Sequence, residues 1–343
     1  MSSDRFPTST EGVLDPAWLG TALDDVGADE RVVAAEAVDT SRTLAEKLRI
    51  AVTIEGADGS RRQQGYCIKA HLDGAPAYDI MPEALFYRDV APRLALRMPR
   101  TAFIGYAEAD AQAMIVMEDV VAAGGEFGSP HRPQSAALTR DTLSQLALLH
   151  ASTWGLAPVA DVEWLGPRIE TFLTFYPADQ LQALLDDGRA DGAPPELLDA
   201  ANLVAALEQV GRHEHTCVLH GDTHTGNVYL DADGRACWFD WQVAQLGNWA
   251  TDVSYHLATV LSVDDRRAHE TDLLRHYLAE LAAHGAPAPA WEEAWDLYRR
   301  SFPYGYFLWV ITRVRDRSEV LAHMPRLIAA LADHDTYRRL GAV

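Results

Sequence analysis

Leu219-His220-Gly221-Asp222-Thr223-His224-Thr225-Gly226-Asn227-Val228-Tyr229-Leu230, then Asp231-Ala232-Asp233-Gly234, then Arg235-Ala236-Cys237-Trp238-Phe239-Asp240-Trp241-Gln242, is the segment on which the reading of this chain turns. Asp-Ala-Asp-Gly between two apolar runs is a hairpin signal. If Leu230 pairs with Arg235, Asn227 falls opposite Trp238, and Asp240 shares the face of Trp238. Asn227 and Asp240 are then diagonal neighbours, roughly 7 Å apart at their β-carbons. Two oxygen-bearing side chains at that separation can share a hard cation, and magnesium accepts one or two protein oxygens plus phosphate and water. Asp222, five residues before Asn227 in the preceding loop, is placed to accept a hydroxyl proton and to aim the oxygen at a phosphoryl group.

Before this segment the chain changes character once. Asp15-Pro16 opens a short capped helix. Arg31–Thr40, Thr43–Glu55 and Gln64–Leu72 read as strands, the last two joined by the turn Gly56-Ala57-Asp58-Gly59-Ser60. In the third strand Tyr66, Ile68, Ala70 and Leu72 share one face and Cys67, Lys69 and His71 the other. A helix over Met81–Leu96 and strands over Thr101–Ala107 and Gln112–Glu118 complete a five-stranded, mainly antiparallel sheet with one packed helix. Lys69, opposite in facing to Ile68, is expected to point away from that helix. Gly124-Gly125-Glu126-Phe127-Gly128-Ser129-Pro130 reads as a boundary loop. Beyond it helices are expected over 140–154, 169–185, 195–213, 251–262, 266–284 and 291–340, the last broken at least once. The short β island 216–239 interrupts them. The expectation is an α+β chain of two domains, 1–120 and 121–343, the second mostly helical with the small hairpin as its metal site.

Bulk composition narrows the function. The chain has 343 residues, 48% of them hydrophobic, and a formal net charge of −21. That supports a packed core, and argues against recognition of nucleic acid or of an anionic membrane through a basic surface. Cys67, Cys217 and Cys237 are too few and too scattered for a disulfide framework or a zinc cluster. No secretory signal or membrane-spanning stretch is evident. A cytoplasmic monomer or homodimer is expected.

His220-Gly221-Asp222-x-x-x-x-Asn227 followed by Asp240-Trp241-Gln242 resembles the catalytic and metal loops of the aminoglycoside phosphotransferase superfamily. This branch of the protein-kinase-like fold includes choline kinases and ecdysteroid-kinase-like enzymes. The resemblance implies a two-lobed kinase fold with ATP between the lobes, and transfer of the γ-phosphate to a hydroxyl of a small molecule. It implies Asp222 as catalytic base and Asn227 and Asp240 as magnesium ligands. His220 would be structural in the loop, and Asp252, in Asn248-Trp249-Ala250-Thr251-Asp252-Val253, would brace it. Lys69 is similar to the strand lysine that binds phosphates and Glu83 to its partner glutamate, in Glu83-Ala84-Leu85-Phe86-Tyr87. Met114–Val120 resembles the segment whose backbone holds adenine, at Glu118 and Val120. Leu149-His150 resembles the family's Leu-His helix, and is read as core.

The departures are a first strand turn, Asp39-Thr40-Ser41-Arg42-Thr43, without glycine, and Gln242 where a glycine follows the metal aspartate in protein kinases. Ser41 and Thr43 are left to meet phosphate with hydroxyls and amides. Two other readings compete. Gly221-Asp222-x-His224 has the look of a dinuclear-metal phosphoesterase loop, but Gly247-Asn248 is followed by Trp249 rather than histidine. A catalytically inactive nucleotide-binding pseudokinase would ordinarily have lost one of Lys69, Glu83, Asp222, Asn227 or Asp240. The acceptor stays open among aminoglycosides, amino alcohols, sterol-like alcohols and sugars. The aromatic run Phe302–Trp309 reads more readily as helix core than as a pocket wall.

Overall fold

The computed structural model describes residues 2–3, 6–42, 45–72, 80–107, 112–313 and 315–343. The chain forms two compact units. The first comprises Met1–Arg93, Arg97–Glu126 and Leu230–Gln242, and the second Leu94–Leu96, Phe127–Tyr229 and Val243–Val343. The turn and second arm of the hairpin, with Asp240, therefore cluster with the N-terminal sheet, and Asp222 and Asn227 with the helices.

In the first unit the five expected strands form one antiparallel sheet. They are β2 (Glu30–Arg42), β3 (Glu46–Gly56), β4 (Arg61–Ala70), β5 (Thr101–Ala107) and β6 (Gln112–Glu118), and a two-residue strand β1 (Ser2–Ser3) adds in parallel at the β5 edge, in the order β1-β5-β6-β4-β3-β2. Period-two alternation buries Leu48, Ile50, Val52 and Ile54 of β3 on one face. Helices α1 (Thr10–Val13) and α2 (Pro16–Ala22) cover that face through Val13, Leu19 and Trp18, which pack with Ile68, Met114 and Val116. Asp15 caps α2 and Pro16 occupies its first turn.

The expectation that Lys69 points away from the packed helix is corrected here. Helix α3 (Met81–Asp89) lies on the Lys69 face, because its Glu83 pairs with the Lys69 ammonium; the opposite, apolar face belongs to α1 and α2. Helix α3 is also shorter than expected. It ends at Val90 and passes into a 3-10 turn over Ala91–Arg93, since Pro92 has no amide to continue the α-helical ladder. Strand β2 runs on through Arg42 where a turn from Asp39 was expected, and it pairs Ser41 with Lys47. Thr43 lies outside the described residues.

The second unit is helical: α4 (Ala136–Ser152), α5 (Ile169–Phe175), α6 (Ala178–Leu184), α7 (Ala200–Gly211), α8 (Trp249–Val260), α9 (Val263–Ala283), α10 (Trp291–Arg300), α11 (Phe302–Ile311), α12 (Arg317–Asp333) and α13 (Thr336–Leu340). The helix expected over 169–185 splits at Pro177, and the one over 291–340 breaks into four. Strand Cys217–Leu219 pairs antiparallel with Gln245–Gly247, a strand that the sequence reading missed. Helix α11 is buried along Phe302–Val310, as expected for core rather than pocket wall. Among the described residues no helix is long and apolar enough to cross a membrane.

Ile50 is fully buried in the sheet core. Ile50→Ala is expected to lower the stability of the first unit by about 2–5 kcal/mol, from lost transfer energy and the cavity left behind. A urea midpoint unchanged from wild type would contradict the packing described.

Candidate active site

In the first unit, strand alternation brings Lys69 to the face of α3, where its ammonium sits between two carboxylates. It pairs with Glu83 Oε2 and lies 2.9 Å from Asp240 Oδ1. All three side chains are nearly excluded from solvent, with exposures of 3%, 1% and 8%. An isolated ammonium there would lose its proton. Burial alone would lower the Lys69 pKa, but Asp240 and Glu83 outweigh it and hold it above the usual lysine range. Burial pushes Glu83 upward against the pull of Lys69. Glu83 Oε1 is buried with no hydrogen-bond partner among the described residues. Trp241 stacks on Phe86 of α3 with ring centroids 4.0 Å apart, which seats the segment carrying Asp240. Asp240 itself has φ of 67°, a left-handed conformation that aspartate tolerates better than most residues.

The hairpin register differs by one residue from that expected. Asp231 N–H donates to Arg235 O at 3.0 Å and Gly234 N–H to Asp231 O at 2.8 Å, so Asp231, not Leu230, faces Arg235. The cause is local. The Asp231 carboxylate accepts the amides of Asp233 and Arg235, and Gly234 takes a left-handed φ of 77°. With that register and the left-handed turn at Asp240, the diagonal placement derived from a Leu230–Arg235 pair does not follow. Glu118 closes β6, its amide donating to Arg100 O at 2.9 Å, and Val120 follows it, buried, with its carbonyl accepting from Gly125.

In the second unit the loop His220–Asn227 is organised around one fully buried carboxylate. Asp252, in the first turn of α8, accepts the amides of His220 at 2.7 Å and Gly221 at 2.9 Å. His150 of α4 donates to it through Nε2 at 3.2 Å, and its Nδ1 accepts from the Tyr277 hydroxyl at 2.8 Å. Gly221 has φ of 79°, and a Cβ there would come within 2.2 Å of the Val243 carbonyl. Its own carbonyl accepts from Tyr304 of α11 at 2.8 Å. His220 is fully buried, and its Nδ1 accepts the Asp222 amide at 3.2 Å.

This frame presents Asp222 with both oxygens held. Oδ1 accepts from the Tyr255 hydroxyl at 2.9 Å and Oδ2 from Asn227 Nδ2 at 2.9 Å. The phenol of Tyr255 is kept well above its ordinary pKa by burial first and by Asp222 second, so it stays a donor. The His224 Nδ1 accepts the Gly226 amide at 3.0 Å, leaving Nε2 facing Asp222 Oδ2 at 3.5 Å. The backbone thus engages one of the two ring nitrogens that a dinuclear-metal loop would turn to a metal. Asn227 is fully buried. Its amide nitrogen also donates to the Asp222 carbonyl, while its Oδ1 has no hydrogen-bond partner among the described residues. An orphaned buried amide oxygen is an incomplete arrangement in protein alone, and it suits a hard cation such as magnesium. Among the described residues no group of three or more His, Cys, Asp and Glu side chains could hold a metal.

Of the residues named from the sequence, Lys69, Glu83 and Asp240 lie together in the first unit and Asp222, Asn227 and Asp252 in the second, and most of the residues that orient them carry no mark in the sequence. His150 was read as core; its burial next to an aspartate in another helix is invisible in one helix's periodicity. Tyr255 and Tyr304 sat in apolar stretches with no local signal. Lys47 is the clearest omission. It lies directly opposite Lys69 across β3 and β4, with Nζ 3.5 Å from Asp240 Oδ2, and the alternation of β3 could have marked it.

Residues 190–286 match the family pattern described as Ecdysteroid kinase-like family. No curated protein matches the chain in sequence. Several solved structures are similar along nearly the whole chain. One is a protein from Ralstonia eutropha JMP134 assigned as an aminoglycoside phosphotransferase, with TM-score 0.54 and 13% identity, covering 93% of this chain and 97% of that one. Another is wild-type aminoglycoside 2'-phosphotransferase-IIIa in its GDP complex, with TM-score 0.53 and 11% identity, covering 92% and 96%. A third is an ethanolamine kinase of Plasmodium vivax, with TM-score 0.50 and 12% identity, covering 90% and 84%. The chain has the kinase-like fold of these proteins.

Gly221→Ala is expected to destabilise the second unit by about 1–3 kcal/mol, the range for forcing a side chain into a left-handed, crowded position. A thermal midpoint equal to wild type would contradict the loop geometry. His256 of α8 gives a pH test. It is fully buried, with Nδ1 donating to the Thr223 carbonyl at 2.7 Å, and burial holds its pKa down to about 4. The unfolded imidazole takes up its proton near 6.5, so the stability this residue contributes is complete above about pH 6.5 and is lost as pH falls toward 4, with a slope of up to about 1.4 kcal/mol per pH unit. The urea midpoint of His256→Gln should therefore fall less steeply between pH 6.5 and 4 than that of wild type. Parallel slopes would contradict a neutral buried histidine.

Proposed function

We propose that this chain, with its aminoglycoside phosphotransferase-like fold, is an ATP- and magnesium-dependent kinase that transfers the γ-phosphate to a hydroxyl of a small molecule. The observation that carries this reading is Asn227. Its amide nitrogen grips the Asp222 carboxylate while its carbonyl oxygen, buried and unpartnered, is left for a cation. A proton acceptor and a metal ligand are thereby joined through one side chain.

The roles follow from the groups present. Lys69, kept charged by Glu83, holds the phosphates, and Ser41, opposite Lys47 in the sheet, meets them with its hydroxyl or amide. Adenine lies along Glu118 to Val120. Asn227 and Asp240 each offer an oxygen to magnesium, which when bound neutralises charge on the phosphates. Asp222, fixed by Tyr255 and Asn227, orients the acceptor hydroxyl and takes its proton. The oxygen forms its bond to the γ-phosphorus as the bond to the bridging oxygen breaks and ADP leaves. His220 and Asp252 hold the loop and touch no reactant. Positioning and charge account for most of the rate in this scheme, with no covalent intermediate. The presence of Lys69, Glu83, Asp222, Asn227 and Asp240 together favours turnover over nucleotide binding alone.

Asp222→Asn keeps the size of the side chain and one of its two acceptor oxygens, and removes the base. It should bind Mg-ATP as wild type does and transfer phosphate more slowly by a factor on the order of a thousand. The rates are compared on whichever acceptor a panel of hydroxylated small molecules reveals. Equal rates for the two proteins would overturn the assignment of Asp222.

A further inference from the structure

We infer that Lys47 is a second phosphate-binding cation of the first unit, standing in for the glycine-rich turn that this chain lacks. The inference rests on the kinase reading and adds to it a residue that the reading does not use.

Lys47 and Lys69 are direct cross-strand partners on one face of the sheet. Like charges so placed repel and destabilise the pair unless an anion lies between them. Asp240 is that anion, with Oδ1 2.9 Å from Lys69 and Oδ2 3.5 Å from Lys47. The two contacts are unequal. Lys69 is 3% exposed and is also paired with Glu83, whereas Lys47 is 24% exposed and sits at the outer limit of hydrogen-bonding distance. The Lys47 ammonium also lies 5.7 Å from the centroid of the Phe239 ring, next to Asp240 in the chain. Arg49, the next residue on that face of β3, is committed elsewhere, with Nε 2.9 Å from Asp119.

One carboxylate cannot serve two ammoniums and a divalent ion equally well. When Asp240 gives an oxygen to magnesium, the lysine pair needs another anion of at least two acceptor oxygens. A polyphosphate supplies it, and Lys47, the more exposed and loosely held of the two, is the one able to swing onto it. Ser41 lies opposite Lys47 in the β2–β3 register, so a hydroxyl and an ammonium face the same end of the sheet. A lysine contacts phosphate as a point charge and needs none of the backbone approach that glycine allows.

The test uses the full chain and measures binding by calorimetry with magnesium present, for three probes: ADP, inorganic tripolyphosphate and adenosine. Lys47→Met should weaken ADP and tripolyphosphate by roughly tenfold or more, the scale of one hydrogen bond to a charged group. It should leave adenosine binding unchanged, and Lys47→Arg should recover most of the loss. Tripolyphosphate and ADP binding by Lys47→Met equal to wild type overturns the inference and leaves the kinase reading standing. Equal weakening of all three probes, adenosine included, also overturns it, since that would be a general effect on the fold. Wild type that binds neither ADP nor tripolyphosphate overturns both.

Discussion

One buried carboxylate organises the second unit. Asp252 accepts two consecutive backbone amides, from His220 and Gly221, and a third donor from His150. Each of those amides, if left unpaired in the interior, would cost about 1–3 kcal/mol. The loop therefore has one conformation in which its donors are satisfied, and Gly221 alone can supply the left-handed turn that this conformation requires. The placement of Asp222 depends on this. The direction of the Asp222 side chain follows from the path of the loop, and Tyr255 reaches it from α8, the helix that also carries Asp252.

The first unit solves a different problem, that of keeping a charge where water is scarce. Lys69 stays ionised because Glu83 and Asp240 flank it. Burying one ion without its partners costs several kcal/mol, so α3 and the segment around Asp240 are tied to strand β4 by electrostatics as well as by the Phe86–Trp241 stack. The left-handed backbone at Asp240 is local strain of the kind that accumulates where a side chain must be aimed. Glu83 and Asp240 carry more negative charge than Lys69 alone can balance, and Lys47 makes up the difference.

Much of this was legible in the sequence, for identifiable reasons. Period-two alternation in β3 and β4 put Lys69 opposite in facing to Ile68. The spacing from His220 to Asn227 and on to Asp240 marked the candidate residues, which the fold divides between its two units. What failed were inferences from incomplete local rules. The hairpin register slipped by one residue because the Asp231 side chain captures two amides and shortens the loop. Lys69 was expected to point away from the packed helix because α3 was taken to cover the apolar face, which α1 and α2 cover instead. His150, Tyr255 and Tyr304 were out of reach altogether, since each acts on a loop far away in sequence and nothing in its own helix distinguishes it from core.

Transfer of a phosphoryl group from ATP to an alcohol by these groups leaves a product that can be seen. Phosphorus NMR of the full chain with Mg-ATP and a panel of hydroxylated small molecules tests it most directly. The expected spectrum shows ADP together with a new phosphate monoester for at least one acceptor, abolished by omitting magnesium. ATP left intact with every acceptor, or ADP accompanied only by orthophosphate, would contradict it.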